Sequence, residues 1–197
     1  MLAIRSPLLS FLAALAVLVS ASAIAKESAK PASRPLKLNF SGTEYLHRQS
    51  QGGRSDFTPA SQPDLKTWRD RMTVIVRDQV TSSDQLSTIA GNLVATVDDL
   101  GEVVHAESKS NPATGETEHF IAARVDAPDY SQAAFARIAL VDGKGMVIVY
   151  SHRAYGAHSA EAIGGWIDRN GESIESALMS WKDLPTPAQL RALPQAK

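Results

Sequence analysis

The sequence predicts an α+β domain: an antiparallel sheet arranged as a meander, flanked by one strong central helix and a C-terminal helix pair. Three observations predict this fold class. Several short runs alternate apolar and polar residues, and they are separated by turn-forming Gly, Asn or Pro, which is typical of strands. Two longer stretches have apolar residues at helical spacing instead. Because strands and helices occupy separate parts of the chain, we expect helices to cover one or both faces of the sheet.

Residues 1–25 have the features of a secretory signal peptide. Arg5 precedes an apolar run over residues 8–19, which is shorter than the roughly 20 residues of a membrane-spanning helix. Small residues end the segment, so we predict cleavage after Ala23 or Ala25. The expected product is a periplasmic or secreted protein with no stable membrane anchor.

The remaining chain is predicted to form one domain with short flanking segments. Residues 26–35 are rich in Lys, Ser, Ala and Pro and indicate a flexible leader, because they cannot bury apolar surface. Residues 36–183 carry the strand and helix patterns of a single α+β domain. Residues 184–197 follow two prolines and are expected to be a loosely attached C-terminal tail.

The first half of the domain contains strands and then a helix. Residues 36–40 and 43–59 favour two or three short strands with a turn at Gly52-Gly53, and residues 71–77 are β-branched and apolar like a buried strand. Residues 82–85, Ser-Ser-Asp-Gln, form a capping box. Apolar residues at steps of three and four follow over 86–100, which predicts the central helix.

The second half contains four strands and then helices. The strands are expected at residues 102–108, 116–125, 133–142 and 146–152, and turn-forming residues join them into a meander. A helix is expected to begin with Ser159 as its cap. Asn170-Gly171 is expected to break or kink this helix, and the apolar spacing continues to Trp181, which together predict the helix pair.

Composition excludes several classes of function. The chain has no cysteine, which excludes disulfides, thiol catalysis and cysteine-rich zinc sites. Its net charge is −1 and it has no run of Lys or Arg, so no nucleic-acid partner is predicted. It has neither a Gly-x-Gly-x-x-Gly motif nor a phosphate loop, and we predict no cofactor.

The five histidines show no spacing typical of metal ligands. His105 and His119 lie on the two arms of one predicted hairpin and could face each other, with Glu107 or Glu118 nearby. It is equally consistent with the sequence that both histidines lie on a solvated face of the sheet and bind no metal. We therefore predict no metal site.

The stretch VYSHRAYGAHSAE, residues 149–161, carries polar residues where an apolar strand ends. A serine hydrolase needs a base within reach of the serine, but neighbouring strand residues such as Ser151 and His152 point to opposite faces. Arg153 and Tyr155 are types that suit a ligand or partner surface. A tyrosine and a His-Arg pair also occur together earlier in the chain, in residues 45–48. The candidate binding residues are therefore Tyr45, His47, Arg48, Arg153 and Tyr155. If the two His-Arg pairs meet at one sheet edge, they form a basic patch.

The order of elements resembles the PsbP-like and DcrB-like domains. The stretches that carry this resemblance are SDFTPASQPDLKTWRDRMTVIV, the capped helix after it, and the meander that ends in MVIVYSHR, within residues 36–183. The resemblance implies an α/β/α sandwich and a non-catalytic accessory or binding role. This chain lacks the lipobox cysteine of the lipoprotein members.

The leading functional hypothesis is an exported, soluble accessory or binding protein without catalytic activity. It would act through the surface patch on an unidentified protein or a small anionic ligand. Two alternatives stay open. One is a periplasmic hydrolase using His152 or His47 with a nearby carboxylate, and the other is an inhibitor or immunity-type protein for another enzyme.

Overall fold

The computed structural model describes residues 36–196 and contains one eight-stranded antiparallel sheet. The strands are β1 (Lys37–Phe40), β2 (Thr43–Gln51), β3 (Arg54–Pro59), β4 (Asp70–Arg77), β5 (Gly101–Ser110), β6 (Thr117–Asp126), β7 (Tyr130–Val141) and β8 (Lys144–Tyr155). The helices are α1 (Ser83–Asp98), α2 (Ser159–Met179) and α3 (Pro187–Arg191). The predicted α+β class and antiparallel sheet are confirmed.

The sheet consists of two runs of neighbouring strands that meet in its centre. The strand order is β1-β2-β3-β4-β8-β7-β6-β5, so β1 to β4 form one run and β5 to β8 form the predicted meander. Strand β4 pairs antiparallel with β8, for example Met72 opposite Tyr150. This central pairing joins parts of the chain far apart in sequence.

Helix α1 covers one face of the meander half of the sheet. Leu86 and Ala90 on the helix are buried in a cluster with Ile121, Ile138 and Val147. The Ser82 side chain accepts a hydrogen bond from the Gln85 backbone amide at 3.4 Å, which is one half of the predicted capping box. The other half is not formed, because the Gln85 side chain accepts from the Thr81 amide at 2.8 Å and not from that of Ser82.

Helix α2 packs on the other face of the sheet, where the larger part of the core lies. Ile163 and Leu178 of this helix are fully buried against Phe135, Ile148 and other apolar strand residues. The helix begins at Ser159 with His158 as its N-cap, so Ser159 is its first residue and not its cap.

The prediction of a helix pair broken at Asn170-Gly171 is wrong in its details, because α2 runs uninterrupted from Ser159 to Met179. Gly171 lies where an added Cβ would be 3.8 Å from the Phe135 ring. Packing of the helix on Phe135 and its neighbours outweighs the roughly 1 kcal/mol that a glycine costs inside a helix.

The C-terminal segment is not loosely attached, contrary to the expectation for residues 184–197. Thr186 caps α3 through a reciprocal pair of hydrogen bonds with Gln189. Leu190 and Leu193 are buried in the same core as α2. The two leucines supply the apolar surface that holds this segment against the core. The prolines that precede them led to the prediction of a loose tail.

A buried ion pair contacts the C-terminal end of α2. Arg137 of β7 donates two hydrogen bonds to the carboxylate of Glu118 on β6, at 2.7 and 3.1 Å. Its remaining terminal nitrogen donates to the carbonyl oxygens of Leu178 and Trp181, both at 3.0 Å. One guanidinium group therefore satisfies both a buried carboxylate and carbonyls at the end of the helix.

The predicted signal peptide, residues 1–25, and the predicted leader, residues 26–35, lie outside the described residues. In the part of the chain that is described, none of the helices is long and apolar enough to cross a membrane.

Candidate functional site

Polar residues gather at the end of the sheet where β4 begins and β8 ends. Asp70 lies opposite His152, and Arg71 lies opposite Ser151. Because neighbouring strand residues point to opposite faces, Asp70 and His152 face α2, whereas Arg71 and Arg153 face the side that carries α1. This end of the sheet therefore presents two separate polar clusters, one on each face.

We call the cluster on the α1 side the arginine surface; it consists of Arg54, Arg71, Arg153, Trp68, Tyr130 and Tyr155. The guanidinium carbons of Arg71 and Arg153 each lie 4.1 Å from the centre of the Trp68 ring. The Arg153 guanidinium is also 3.6 Å from the centre of the Tyr130 ring and 5.9 Å from that of Tyr155. Both charged groups therefore rest on aromatic rings, whose electron-rich faces attract cations.

Neutral hydrogen bonds fix the geometry of this surface. Arg153 donates from Nη2 and Nε to Oε1 of Gln132, at 2.8 and 3.3 Å. The Tyr155 hydroxyl donates to the Trp68 carbonyl at 2.8 Å, and the Trp68 side chain is only 1% exposed. The indole ring and the Arg153 guanidinium are thus each held in one orientation.

The arginine surface carries more positive than negative charge. Asp56 pairs with Arg54 at 2.9 Å, lies 3.7 Å from Nε of Arg71 and accepts a hydrogen bond from Thr73 at 2.6 Å. Among the described residues, Asp56 is the one carboxylate that forms an ion pair with any of the three arginines. Arg54 and Arg71 therefore share one carboxylate, and Arg153 forms no ion pair among the described residues.

The surrounding groups change the pKa of Arg71. Burial lowers the pKa of its guanidinium to about 10, and repulsion from Arg54 and Arg153 adds to this, although Asp56 acts in the opposite direction. Arg71 stays positively charged at neutral pH. Its Nε is buried and has no hydrogen-bond partner among the described residues.

The cluster on the α2 face centres on His152. Its Nδ1 donates to Oδ1 of Asp70 at 2.8 Å, and its ring stacks on Trp166 of α2 with centres 4.2 Å apart and planes 10° from parallel. Asp70 also accepts hydrogen bonds from Tyr150 at 2.9 Å and from Gln62 at 3.0 Å. The imidazole is therefore oriented by a carboxylate on one side and by a helix residue on its face.

Titration of this cluster follows from burial and the Asp70 charge. Burial alone would raise the pKa of Asp70, but hydrogen bonds from His152, Gln62 and Tyr150 outweigh it and lower that pKa. Burial, and then the charge of Asp70, raises the pKa of Tyr45 and that of Tyr150. Asp70 is accordingly ionised at neutral pH and the two tyrosines are protonated, with the Tyr150 hydroxyl donating to Asp70.

The His152 cluster lacks the hydroxyl partner of a serine hydrolase. Ser151 points to the opposite face, where its hydroxyl accepts a hydrogen bond from Gln132 at 3.4 Å. In the described part of the chain, the one side-chain hydrogen bond of His152 is to Asp70. The expected separation of Ser151 from His152 is therefore what the fold produces.

The structure divides the five predicted binding residues between the two faces. Arg153 and Tyr155 belong to the arginine surface. Arg48 lies on the same face but donates to Thr58 and to the Pro59 carbonyl, both at 2.8 Å. Because β3 and β4 separate β2 from β8, the two His-Arg pairs do not meet.

Tyr45 and His47 lie on the α2 face instead. Tyr45 is buried in the core. His47 hydrogen-bonds with Ser50 at 2.7 Å and packs edge-on against Phe57, and burial lowers its pKa. Both residues pack internally, so neither contributes to the arginine surface.

Sequence reasoning missed Trp68, Asp70, Arg71 and Tyr130. The segment Trp-Arg-Asp-Arg, residues 68–71 at the start of β4, resembles Ser-His-Arg near the end of β8, since both place polar residues beside an apolar stretch of strand. That similarity could have predicted a shared site only if the pairing of β4 with β8 had been known.

A further polar cluster joins β5 to α2. Nε2 of His105 lies 3.9 Å from Oε2 of Glu107 and 3.8 Å from Oε2 of Glu175. Lys109 contacts Glu107 and lies 3.3 Å from Glu175. Its hydrogen bond to Glu107 lowers the pKa of that carboxyl and raises the pKa of Lys109. Of the two carboxylates beside His105, Glu107 was expected from the sequence, whereas Glu175 of α2 was not.

The expectation that His105 and His119 could face each other is wrong. A register shift between Val103 and His105 places His105 opposite Ala122, while His119 lies opposite Ser108. His119 hydrogen-bonds with Ser108 at 2.8 Å and with Ser87 of α1 at 3.2 Å. The two histidines lie on opposite faces of the sheet.

Comparisons with known proteins add little. No family model and no curated protein matches this chain. Among solved structures, the Ran-binding protein Mog1p of Saccharomyces cerevisiae is similar over 81% of this chain and 89% of its own, with 9% identity and a TM-score of 0.38. A likeness this distant carries no inference about fold or function.

Proposed function

We propose that this protein is an exported, soluble binding or accessory protein without catalytic activity, and that its arginine surface binds an anionic ligand. The observation that supports this most is the unequal charge of that surface: Arg54 and Arg71 share the carboxylate of Asp56, and Arg153 forms no ion pair among the described residues. The features of residues 1–25 support export.

The chemistry of stacked arginines suits anion binding. A guanidinium group is planar and weakly hydrated, and its forked N–H groups match carboxylate and phosphate oxygens. Stacking on Trp68 and Tyr130 occupies the faces of the Arg153 guanidinium and leaves its edge for hydrogen bonds. Gln132 uses part of that edge without neutralising the charge. A bound anion would supply the missing counter-charge.

The test compares Arg153→Gln with Arg124→Gln. Arg124 is a matched control, because it is an arginine of the same sheet that already pairs with Asp126 at 3.0 Å. Titration calorimetry at low and moderate salt uses inorganic phosphate in one series and an oligoglutamate peptide in another. We expect Arg153→Gln to weaken binding by about tenfold and Arg124→Gln to leave it unchanged, with binding weaker at higher salt.

The two probes separate the two sources of negative charge. Binding of phosphate alone indicates a phosphorylated ligand, and binding of the peptide alone indicates an acidic protein segment. If neither probe binds, or if both variants bind like the wild type, the proposal is wrong.

The Asp70–His152 pair favours a second candidate function, a hydrolase that uses His152 as its base. The distance of 2.8 Å between Nδ1 and Oδ1 orients the imidazole as a general base requires. Turnover of generic ester or phosphoester substrates that is lost in His152→Ala, and kept in the exposed control His158→Ala, would favour this function over the binding role.

A further inference from the structure

We propose that His105, Glu107 and Glu175 bind a divalent cation of the zinc type between strand β5 and helix α2. These residues lie apart from the arginine surface, so this proposal does not depend on the function proposed above. It replaces the sequence-based prediction that the chain has no metal site.

The backbone already brings the three donor atoms together. His105 and Glu107 are two residues apart on β5 and project from the same face, and Glu175 comes from α2 above that face. One donor atom of each residue lies within 4.8 Å of the other two. The two distances from Nε2 of His105 are 3.9 and 3.8 Å.

These separations are close to those of a real site. Ligand atoms about 2.1 Å from a tetrahedral zinc ion lie about 3.4 Å from each other. The two His105 distances exceed this value by about half an ångström, and no donor separation exceeds it by more than about 1.4 Å, so side-chain movements of this size would place all three donors around one ion. Glutamate side chains make such movements without any change of the backbone.

The donor set indicates the class of metal. One imidazole nitrogen with two carboxylates is a mixed set that zinc accepts, whereas magnesium prefers oxygen donors and keeps most of its waters. Three protein ligands leave a fourth position for water. His105 is 48% exposed, so an ion can reach the site from solvent.

Lys109 acts as an internal competitor for the metal. Its ammonium group contacts Glu107 and lies 3.3 Å from Glu175, so a positive charge already occupies the space between the two carboxylates. The Lys109 side chain is 52% exposed and can move into solvent when an ion arrives. Displacing it costs binding energy, because two ion pairs are lost. We therefore expect wild-type affinity in the micromolar range and tighter binding without the lysine.

Titration calorimetry of tag-free, chelator-treated protein with zinc chloride tests the proposal. We expect one bound ion per chain, with affinity reduced by about tenfold or more in His105→Ala and in Glu175→Gln, and increased in Lys109→Met. His158→Ala is the matched control, since His158 is 91% exposed and its carboxylate neighbour Glu161 is 3.9 Å away. This control should bind like the wild type.

A second measurement reports on the position of the ion. Because the site joins β5 to α2, zinc should raise the midpoint of thermal unfolding in the wild type and more strongly in Lys109→Met. Circular dichroism confirms that each variant is folded. The proposal fails if zinc binds neither to the wild type nor to Lys109→Met. It also fails if His105→Ala and Glu175→Gln bind as tightly as the wild type, or if magnesium binds as tightly as zinc.

Discussion

At the scale of single residues, the start of β4 and the end of β8 present different side chains on the two faces of the sheet, because side chains alternate along a strand. Asp70 and His152 face α2, and their neighbours Arg71 and Arg153 face the other side. The arginine surface and the His152 cluster are therefore separated by the thickness of the sheet. A substitution in one cluster should therefore leave the other cluster intact.

Asp70 provides a test of the α2-side cluster through the pH dependence of stability. Its pKa is lower in the folded chain than in the unfolded one, so its contribution is fully present above the unfolded pKa of about 3.9. That contribution is lost as the pH falls from this value through the folded pKa. We expect urea unfolding from pH 6 to pH 3 to show a steeper loss of stability in the wild type than in Asp70→Asn.

The exposed control for this prediction is Asp84→Asn, at the start of α1. This variant should lose stability with falling pH as steeply as the wild type. Equal slopes for Asp70→Asn and the wild type would show that the hydrogen bonds to Asp70 do not stabilise the folded state.

At the scale of secondary-structure elements, α2 depends on contacts that lie outside the helix. Apolar packing holds its buried side, and Arg137 binds the carbonyls at its C-terminal end. Asn170 and Gly171 disfavour a helix locally, but they lie within this long packed helix. Because tertiary contacts outweigh the local preference, the helix remains continuous.

The buried Arg137–Glu118 pair makes a specific prediction about stability. Arg137→Ala leaves a buried carboxylate without its partner, so we expect the free energy of unfolding to fall by roughly 3–5 kcal/mol. The double variant Arg137→Met with Glu118→Leu removes both charges and keeps apolar volume. It should be less destabilised than Arg137→Ala.

Chemical denaturation of both variants measures this difference, with Arg124→Ala as a surface control that changes the free energy of unfolding by less than about 1 kcal/mol. A double variant that is less stable than Arg137→Ala would contradict the argument that the unpaired charge is the main cost.

At the scale of the whole molecule, the central β4–β8 pair determines the architecture. It joins the run β1 to β4 to the meander β5 to β8, and it brings the two polar segments at residues 68–71 and 150–155 side by side. The core on the α2 side then extends to residues far from that helix in sequence, such as Leu38 and Phe40 of β1, and it includes Leu190 and Leu193 of the C-terminal segment.

Removal of the C-terminal segment tests this view of the core. A chain that ends at Leu184 loses the buried side chains of Leu190 and Leu193, and we expect the free energy of unfolding to fall by roughly 3–6 kcal/mol. A chain that ends at Gln195 is the control. It loses the hydrogen bond from Ala196 to Ser50 but no buried leucine.

Thermal and chemical unfolding of the two truncated chains provide the measurement. If the chain ending at Leu184 is as stable as the control, the segment is a loosely attached tail after all.

Much of the fold could be predicted because it depends on local patterns. Alternating apolar residues placed the strands, and the Ser82 cap with its apolar stripe placed α1. The site could be predicted only in part. Arg153 and Tyr155 were found because they follow an apolar strand, but Tyr45 and His47 were assigned to the same surface although they pack on the opposite face.

Periodicity and turn chemistry are properties of neighbouring residues, and so the amino-acid order was sufficient to establish the strands, the central helix and the antiparallel class. Distances between residues far apart in the chain depend on which strands become neighbours and on which face each side chain occupies. The pairing of β4 with β8 and the packing of α2 set those distances. They placed two arginines on Trp68, His152 on Trp166 and Glu175 beside His105.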